Sequence, residues 1–287
     1  MIFQDLFNQY LVLIKEQIAD HSYKCYISIY NKYIKNNKLG LTLCKDINYP
    51  LIQNFINELM QTKAPKTAKN VLSVLNQVIK LGEQLELINK NPCRLVKIKP
   101  FDNKRYFNHS LDIQKKIIRS IKDFNDPLAD FLFFLMQGRR VNEIRLIKWR
   151  DIDFKNNEYT IISEHSKVRK TMKFYLIEEL AERLKNRLHN TDFYKLDDYV
   201  FTNPQTKTHY SDFRRLWERF LKTYNLPKFR IHDLRHLIGT YSINYLGQSI
   251  ESVMHTLGHT NINTTKRYIT QQTKQSKEVM TNIFLSI

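Results

Sequence analysis

Apolar residues near the start of this 287-residue chain recur at the spacing of helix faces. Tyr23, Tyr26, Ile27, Tyr30 and Ile34 stand at i, i+3, i+4, i+7 and i+11. That spacing puts them on one stripe of a helix over Asp20–Ile34, with Ser22 as its expected N-cap. Ile52, Phe55, Ile56 and Leu59 mark a second helix. Val71, Leu72, Leu75, Val78 and Ile79 mark a third, with Pro65 near its start. Residues 2–18 are read as another. Such stripes are core positions, because a helix in water must bury its apolar face against something. Asn91-Pro92 ends the run, since the residue before a proline is pushed out of the helical region. Residues 1–95 are therefore expected to form a small helical domain.

Residues 96–109 are polar, basic and aperiodic, and read as an interdomain linker. Residues 110–287 form the second expected domain. Ser110 is placed to cap a helix from Leu111. Residues 126–147 have a helical apolar pattern interrupted by Gly138. Tyr159–Ser163 and Lys173–Ile177 alternate like short strands around the polar stretch Glu164–Met172, with a further strand near Ile152. From Leu176 the pattern is mostly helical again, except for an extended stretch at Tyr199-Val-Phe-Thr. The expected class is mainly α, in two domains, the second carrying a small antiparallel sheet.

A hydrophobic fraction of 42% is enough to build cores and excludes a disordered chain. The net charge of +18 favours a polyanionic partner. Lysine used only for solubility is the alternative. The excess is +7 in residues 1–104 and +11 in the remainder, so both domains could touch one polyanion. Cys25, Cys44 and Cys93 are odd in number and far apart. They suggest neither a disulfide framework nor a zinc ribbon. No secretory leader is read at the N-terminus, and no apolar run approaches the ~18 residues of a membrane span. A cytoplasmic protein with no membrane partner is expected.

The chemistry concentrates towards the C-terminus. His232 and Arg235 lie three apart and share a face if helical. An arginine fork holds two phosphate oxygens while a neighbouring imidazole exchanges a proton. Alone, this pair is common by chance, and a solvated helix face accounts for it. It is followed by Leu257-Gly-His259, where the glycine permits a tight turn. Asn and Thr residues then offer caps for a helix expected to carry Tyr268. In a chain with 16 tyrosines, Tyr268 stands out only by its spacing from His259. Arg140 and Glu143 form a second polar pair far upstream. Two arginines, two histidines and a tyrosine suffice to grip and attack a phosphodiester with neither metal nor nucleotide, so no cofactor is expected.

The segments His232-Asp-Leu-Arg-His, Leu257-Gly-His-Thr-Asn-Ile-Asn-Thr-Thr-Lys-Arg-Tyr268 and Gln137-Gly-Arg-Arg140-Val-Asn-Glu143-Ile closely resemble the boxes of the tyrosine recombinases, the phage integrase and Xer group. Leu146-Ile-Lys-Trp-Arg-Asp-Ile-Asp matches as well, and the N-terminal helices resemble the family's core-binding, SAM-like bundle. The resemblance implies a site-specific DNA recombinase. Its nucleophile would be Tyr268. Arg140, Arg235 and His259 would hold the phosphate, His232 would accept the tyrosine proton, and Glu143 would orient His232 or an arginine. The family's catalytic lysine sits on a hairpin turn. Ser166-Lys-Val-Arg-Lys-Thr-Met-Lys-Phe-Tyr-Leu176 aligns there without a gap and points to Lys167, with Lys170 and Lys173 competing.

The chain departs from the pattern at Gln137, usually Thr, at Tyr175, usually Pro, and at Arg169, usually Gly. None of these removes a catalytic group, so an active enzyme is expected. The partner implied is duplex DNA with an inverted-repeat core site. A dimer would bind each site, with a tetramer in the synapse, an accessory protein as a further possible partner, and a tail after Tyr268 docked on a neighbour. The roles implied are Xer-like chromosome-dimer resolution or phage and mobile-element integration and excision, near the nucleoid. Compact length leans towards the Xer-like reading. The rivals are type IB topoisomerase-like relaxation and a non-catalytic DNA-binding module.

Overall fold

The structure is a computed structural model and describes residues 1–101, 107, 109–166, 170–190, 195–266 and 268–269. The chain divides into two compact units, Met1–Asn103 and Lys104–Ile287.

The first unit is helical. It comprises α1 (Phe3–Ile14), α2 (Asp20–Ile29), a short α3 (Lys38–Leu41), α4 (Tyr49–Thr62) and α5 (Pro65–Gln84). The Asn48 side chain caps α4 by accepting from the Leu51 N–H. Pro50 and Pro65 occupy first turns, where a missing N–H costs nothing. Phe3, Phe7, Ile52, Ile56, Val71, Leu75 and Ile79 fill one core. Two expectations need correction. Ser22 is not the cap of α2: the helix begins at Asp20 after Ala19, with no side-chain cap. Asp20 provides a negative charge in the first turn instead. The helix also widens into a π turn over Tyr30–Ile34, closed by the Lys35 N–H on the Tyr30 carbonyl. The extra residue rotates the stripe, so Tyr30 and Ile34 are buried while Tyr23, Tyr26 and Ile27 are only partly covered.

The run from residue 96 is not free backbone throughout. Lys97 exchanges two hydrogen bonds with the Gln53 side chain, and Val96 and Ile98 pack on the first core. Phe107 belongs to the core of the second unit, edge-on to Phe229.

The second unit contains α6 (Leu111–Asp123), α7 (Ala129–Leu135), α8 (Val141–Arg145), strands β1 (Ile152–Asp153), β2 (Glu158–Ile161) and β3 (Met172–Tyr175), then α9 (Glu178–His189), α10 (Arg214–Thr223), α11 (Asp233–Asn244), α12 (Ile250–Leu257) and α13 (Ile262–Lys266). Ser110 caps α6 through the Ile113 N–H. The strands form an antiparallel sheet in the order β1-β2-β3, with Tyr159 opposite Phe174. Tyr159 and Ile161 point into a core that includes Phe131, Phe134, Phe201 and Phe220. Both long strands are displaced from their expected bounds. The chain turns after Ile161, with the His165 and Ser166 N–H groups on the Ile162 carbonyl. Ile177 already precedes the first turn of α9. The extended stretch at Tyr199 is held by the 147–150 backbone, through Val200 N–H to Ile147 O and Trp149 N–H to Asp198 O.

The helical pattern over 126–147, interrupted at Gly138, forms α7 and α8. Between them Gly138 adopts φ +79°, a left-handed conformation that ends the first helix. A Cβ there would also strike Leu257 of α12 at 2.5 Å. No described helix is long and apolar enough to cross a membrane.

Candidate active site

The Gly138 turn creates the first part of the site. It reverses the chain so that Arg140 stands immediately before α8, where Glu143 lies one turn on. Glu143 is 1% exposed and accepts from both the Arg140 backbone N–H and its guanidinium. Removing Arg140 would leave the Glu143 carboxylate buried and uncompensated, and removing Glu143 would leave the half-buried Arg140 without its partner. Glu143 therefore serves an arginine, and among the described residues no hydrogen bond joins it to His232.

The second part comes from the start of α11. Asp233 accepts from the Arg230 backbone N–H and guanidinium, which fixes the entry into the helix. His232 occupies the N-cap position and Arg235 follows one turn on. Arg235 is buried and donates through Nη1 to the Gly138 carbonyl, so the same turn that presents Arg140 also receives Arg235. Burial, then repulsion from Arg140 and Arg139, lowers Arg235 to about 10, against the attraction of Tyr268 and Glu143. Its Nη2 is buried with no acceptor among the described residues. A crowded cation with an unused donor is what an oxyanion would relieve. His232 lies at the exposed rim. Desolvation by the protein around it, then Arg230 and Arg235, push its imidazole below the ordinary range, with Asp233 opposing. The cationic form is thereby disfavoured.

The third part follows α12. Gly258 is left-handed at φ +62°. The His259 N–H returns to the Met254 carbonyl and the Gly258 N–H to the His255 carbonyl. This double bond pattern closes the helix end and sets the direction of His259. His259 is buried, with Nδ1 sharing a 2.8 Å hydrogen bond with Thr265 Oγ1 on α13. Tyr268 does not lie on α13 as expected. It stands in the turn after that helix, its N–H on the Thr265 carbonyl. The residue is 3% exposed, with its ring stacked on His259 at 6.1 Å and edge-on to His236 at 5.4 Å. Asn244 of α11 donates to the Tyr268 carbonyl.

Arg140, Glu143 and Arg235 thus meet at one turn, His259 and Tyr268 stack, and Arg235 senses Tyr268. Lys167 lies outside the described residues. Its competitors are exposed, and Lys173 on β3 pairs across the sheet with Glu158 at 3.6 Å. Sequence reasoning missed Thr265, Asn244, His236, Arg139 and Gly239 of α11, where a Cβ would stand 2.5 Å from the Tyr268 ring. Only Thr265 carried a local signal, one turn before Tyr268. The others act across long sequence separations.

Residues 105–275 match the phage integrase family. The chain belongs to this family, the tyrosine recombinases, and is an enzyme of that class. It is 25% identical to the ICEBs1 integrase of Bacillus subtilis, across 92% of this chain and 77% of that protein. It is likewise 25% identical to a tyrosine recombinase of Pseudothermotoga lettingae, across 92% and 91%. Among solved structures, the Tn1549 transposon integrase in complex with a circular intermediate DNA superposes with a TM-score of 0.76 at 17% identity, covering 99% of each chain. A lambda integrase dimer bound to a core site gives 0.71 at 17%, covering 91% of this chain and 96% of that one. At these identities the structural likeness shows the fold.

Proposed function

We propose that this enzyme cuts and rejoins duplex DNA at an inverted-repeat core site through a covalent intermediate on Tyr268. The observation that carries the reading is the convergence of Arg140 and Arg235 on the Gly138 turn, with a buried Arg235 nitrogen left to donate. The scissile phosphate takes that donor. Arg140, Arg235 and His259 hold its non-bridging oxygens and spread the charge of the pentavalent transition state. Glu143 keeps the Arg140 guanidinium in place.

Tyr268 Oη attacks phosphorus, and the bond from phosphorus to the 5′ oxygen breaks. The product is a 3′-phosphotyrosyl bond and a 5′ hydroxyl. His232, whose cationic form is disfavoured by burial and by Arg230 and Arg235, accepts the Tyr268 proton, which a phenol of ordinary pKa about 10 does not release unaided at pH 7. Lys167 protonates the departing 5′ oxygen. The phosphotyrosine conserves the bond energy, so resealing needs neither metal nor ATP. With Tyr268 3% exposed, attack requires its segment to leave the present seat.

Both units are basic and both contribute to DNA binding, the helical unit as the core-binding domain. A dimer occupies each site, and two dimers exchange strands through a Holliday junction. The structural relatives described as a DNA-bound dimer and a Holliday-junction tetramer support this assembly. Xer-like resolution and mobile-element integration or excision both use this chemistry, and both kinds of relative match. The enzyme would act in the cytoplasm, on the nucleoid.

The test is covalent capture. Wild type and Tyr268→Phe are incubated with duplexes carrying candidate core sites, stopped in denaturant and analysed for protein–DNA adducts. Adducts with wild type alone support the reading. Adducts that persist in Tyr268→Phe, or tight DNA binding with no adduct on any site of a randomised inverted-repeat library, refute it.

A further inference from the structure

Arg139 occupies the variable position between the turn glycine and Arg140. Nothing in its sequence position announces a role, yet it is 2% exposed. Its guanidinium lies over the Phe174 ring of β3 at 3.6 Å. Nη2 donates to the Thr256 carbonyl in the last turn of α12, and Nε to the Gln137 carbonyl at 3.4 Å. A cation buried against an aromatic face, one helix carbonyl and one turn carbonyl is held from three sides at once. The last carbonyls of a helix have no partner within it, and at the end of α12 Arg139 supplies one. Gln137, which stands where the family usually has Thr, braces the same region by accepting from the Ile177 N–H at 3.2 Å.

The residues that follow this helix end are Gly258 and His259. The fit is close: a Cβ at position 258 would stand 3.0 Å from Phe174 Cζ and 3.2 Å from Arg139 Nη1. We infer that Arg139 is a positioning residue for the recombination chemistry. It clamps the carbonyl end of α12 to the sheet and thereby sets where His259 meets the phosphate. This rests on the reading of His259 as a phosphate donor. Burial depresses the Arg139 cation, as expected for a charge retained for its geometry. Arg139 also adds to the positive field felt by Arg235. The clamp makes a further demand that a field does not: two carbonyls and a ring must be met together, and a lysine cannot do so.

The first readout uses the free protein. In Arg139→Met the His259 ring resonances, assigned by their loss in His259→Gln, are expected to shift and broaden. Gly258→Ala, which crowds the same seam, is expected to move them too. Unchanged His259 resonances in Arg139→Met overturn the proposal. The second readout is the rate of Tyr268-linked adduct formation, on duplexes that wild type captures from a randomised inverted-repeat library. Arg139→Met should slow it at least about tenfold with little change in DNA affinity. In a His259→Ala background the same change should cost less than about twofold. Arg139→Lys, the variant for use if the methionine does not fold, should recover only part of the rate. Equal cost in both backgrounds, or full recovery by lysine, assigns Arg139 to the general field and overturns the clamp. If wild type forms no Tyr268 adduct, the proposed function fails, while the resonances still decide the role of Arg139.

Discussion

Replacing Arg235 with methionine should make the free protein more stable while abolishing its chemistry. Arg235 is 8% exposed and lies among Arg140 and Arg139 with Glu143 as the balancing carboxylate. Its fall from the ordinary arginine value to about 10 costs the cation roughly 3 kcal/mol, at about 1.4 kcal/mol per pKa unit. The sign follows from linkage. A cation whose folded pKa is depressed destabilises the fold at every pH below that value, and relief comes only as pH rises through about 10. The penalty is therefore undiminished at pH 7. Methionine removes it and keeps most of the volume. It also leaves the Gly138 carbonyl without its donor, a loss of about 1–3 kcal/mol. The net is a gain of about 1 kcal/mol, or about 2–4 °C in Tm for a domain of roughly 150–250 residues. Calorimetry in matched ionic strength checks this. Inorganic phosphate should raise the Tm of wild type and leave Arg235→Met unmoved, since an oxyanion relieves the same crowding. A Tm that falls by several degrees in the variant, or an equal phosphate effect on both proteins, would refute the argument that Arg235 is stored in a repulsive site.

Three other outcomes are expected. Glu143→Ala should cost about 3 kcal/mol, because it strands a charge beside a buried site. Glu143→Gln, which still accepts from the Arg140 N–H, should cost less; denaturant titration of both variants distinguishes them. His232 has a depressed folded pKa, so its stabilising contribution is present above about pH 6.5 and lost as pH falls below it. The rate of adduct formation should show an acid limb below that pH, and a pH profile of His232→Gln that keeps the same limb would count against His232 as the base. Gly239→Ala places a Cβ 2.5–2.8 Å from three Tyr268 ring atoms. Its gain in helix propensity, up to about 1 kcal/mol, competes with overpacking of about 1–3 kcal/mol. Tyr268 should become reactive to nitration, read by peptide mapping; an unreactive Tyr268 would show that the ring does not depend on that space.

The boxes around Arg140, Arg235, His259 and Tyr268 were legible because each is a run of local sequence with its own turn or cap chemistry. The helical first unit was legible from period alone, since a stripe of apolar residues has few ways to bury itself. The interruption read at Gly138 within 126–147 is where the chain turns between α7 and α8, and the structure adds that a Cβ there would strike Leu257. The errors came where local pattern was overridden. Ser22 is a good cap by type, yet the helix starts two residues earlier. Tyr268 has helical spacing, but its ring is drawn into a space that Gly239 leaves open on α11.

From sequence alone came the two-domain, mainly helical class, the family, and the candidate groups proposed to hold and attack a phosphodiester. These depend on residue identity and on spacing along the chain. The tertiary structure decided which groups serve each other. Glu143 pairs with Arg140, Thr265 holds His259, Asn244 anchors the Tyr268 backbone, and Arg139 ties a strand to the end of a helix. The longest of these partnerships, Arg139 with Thr256, joins residues 117 positions apart. They form by close approach of packed elements, and periodicity along a chain carries no record of which distant side chain will fill the space beside it.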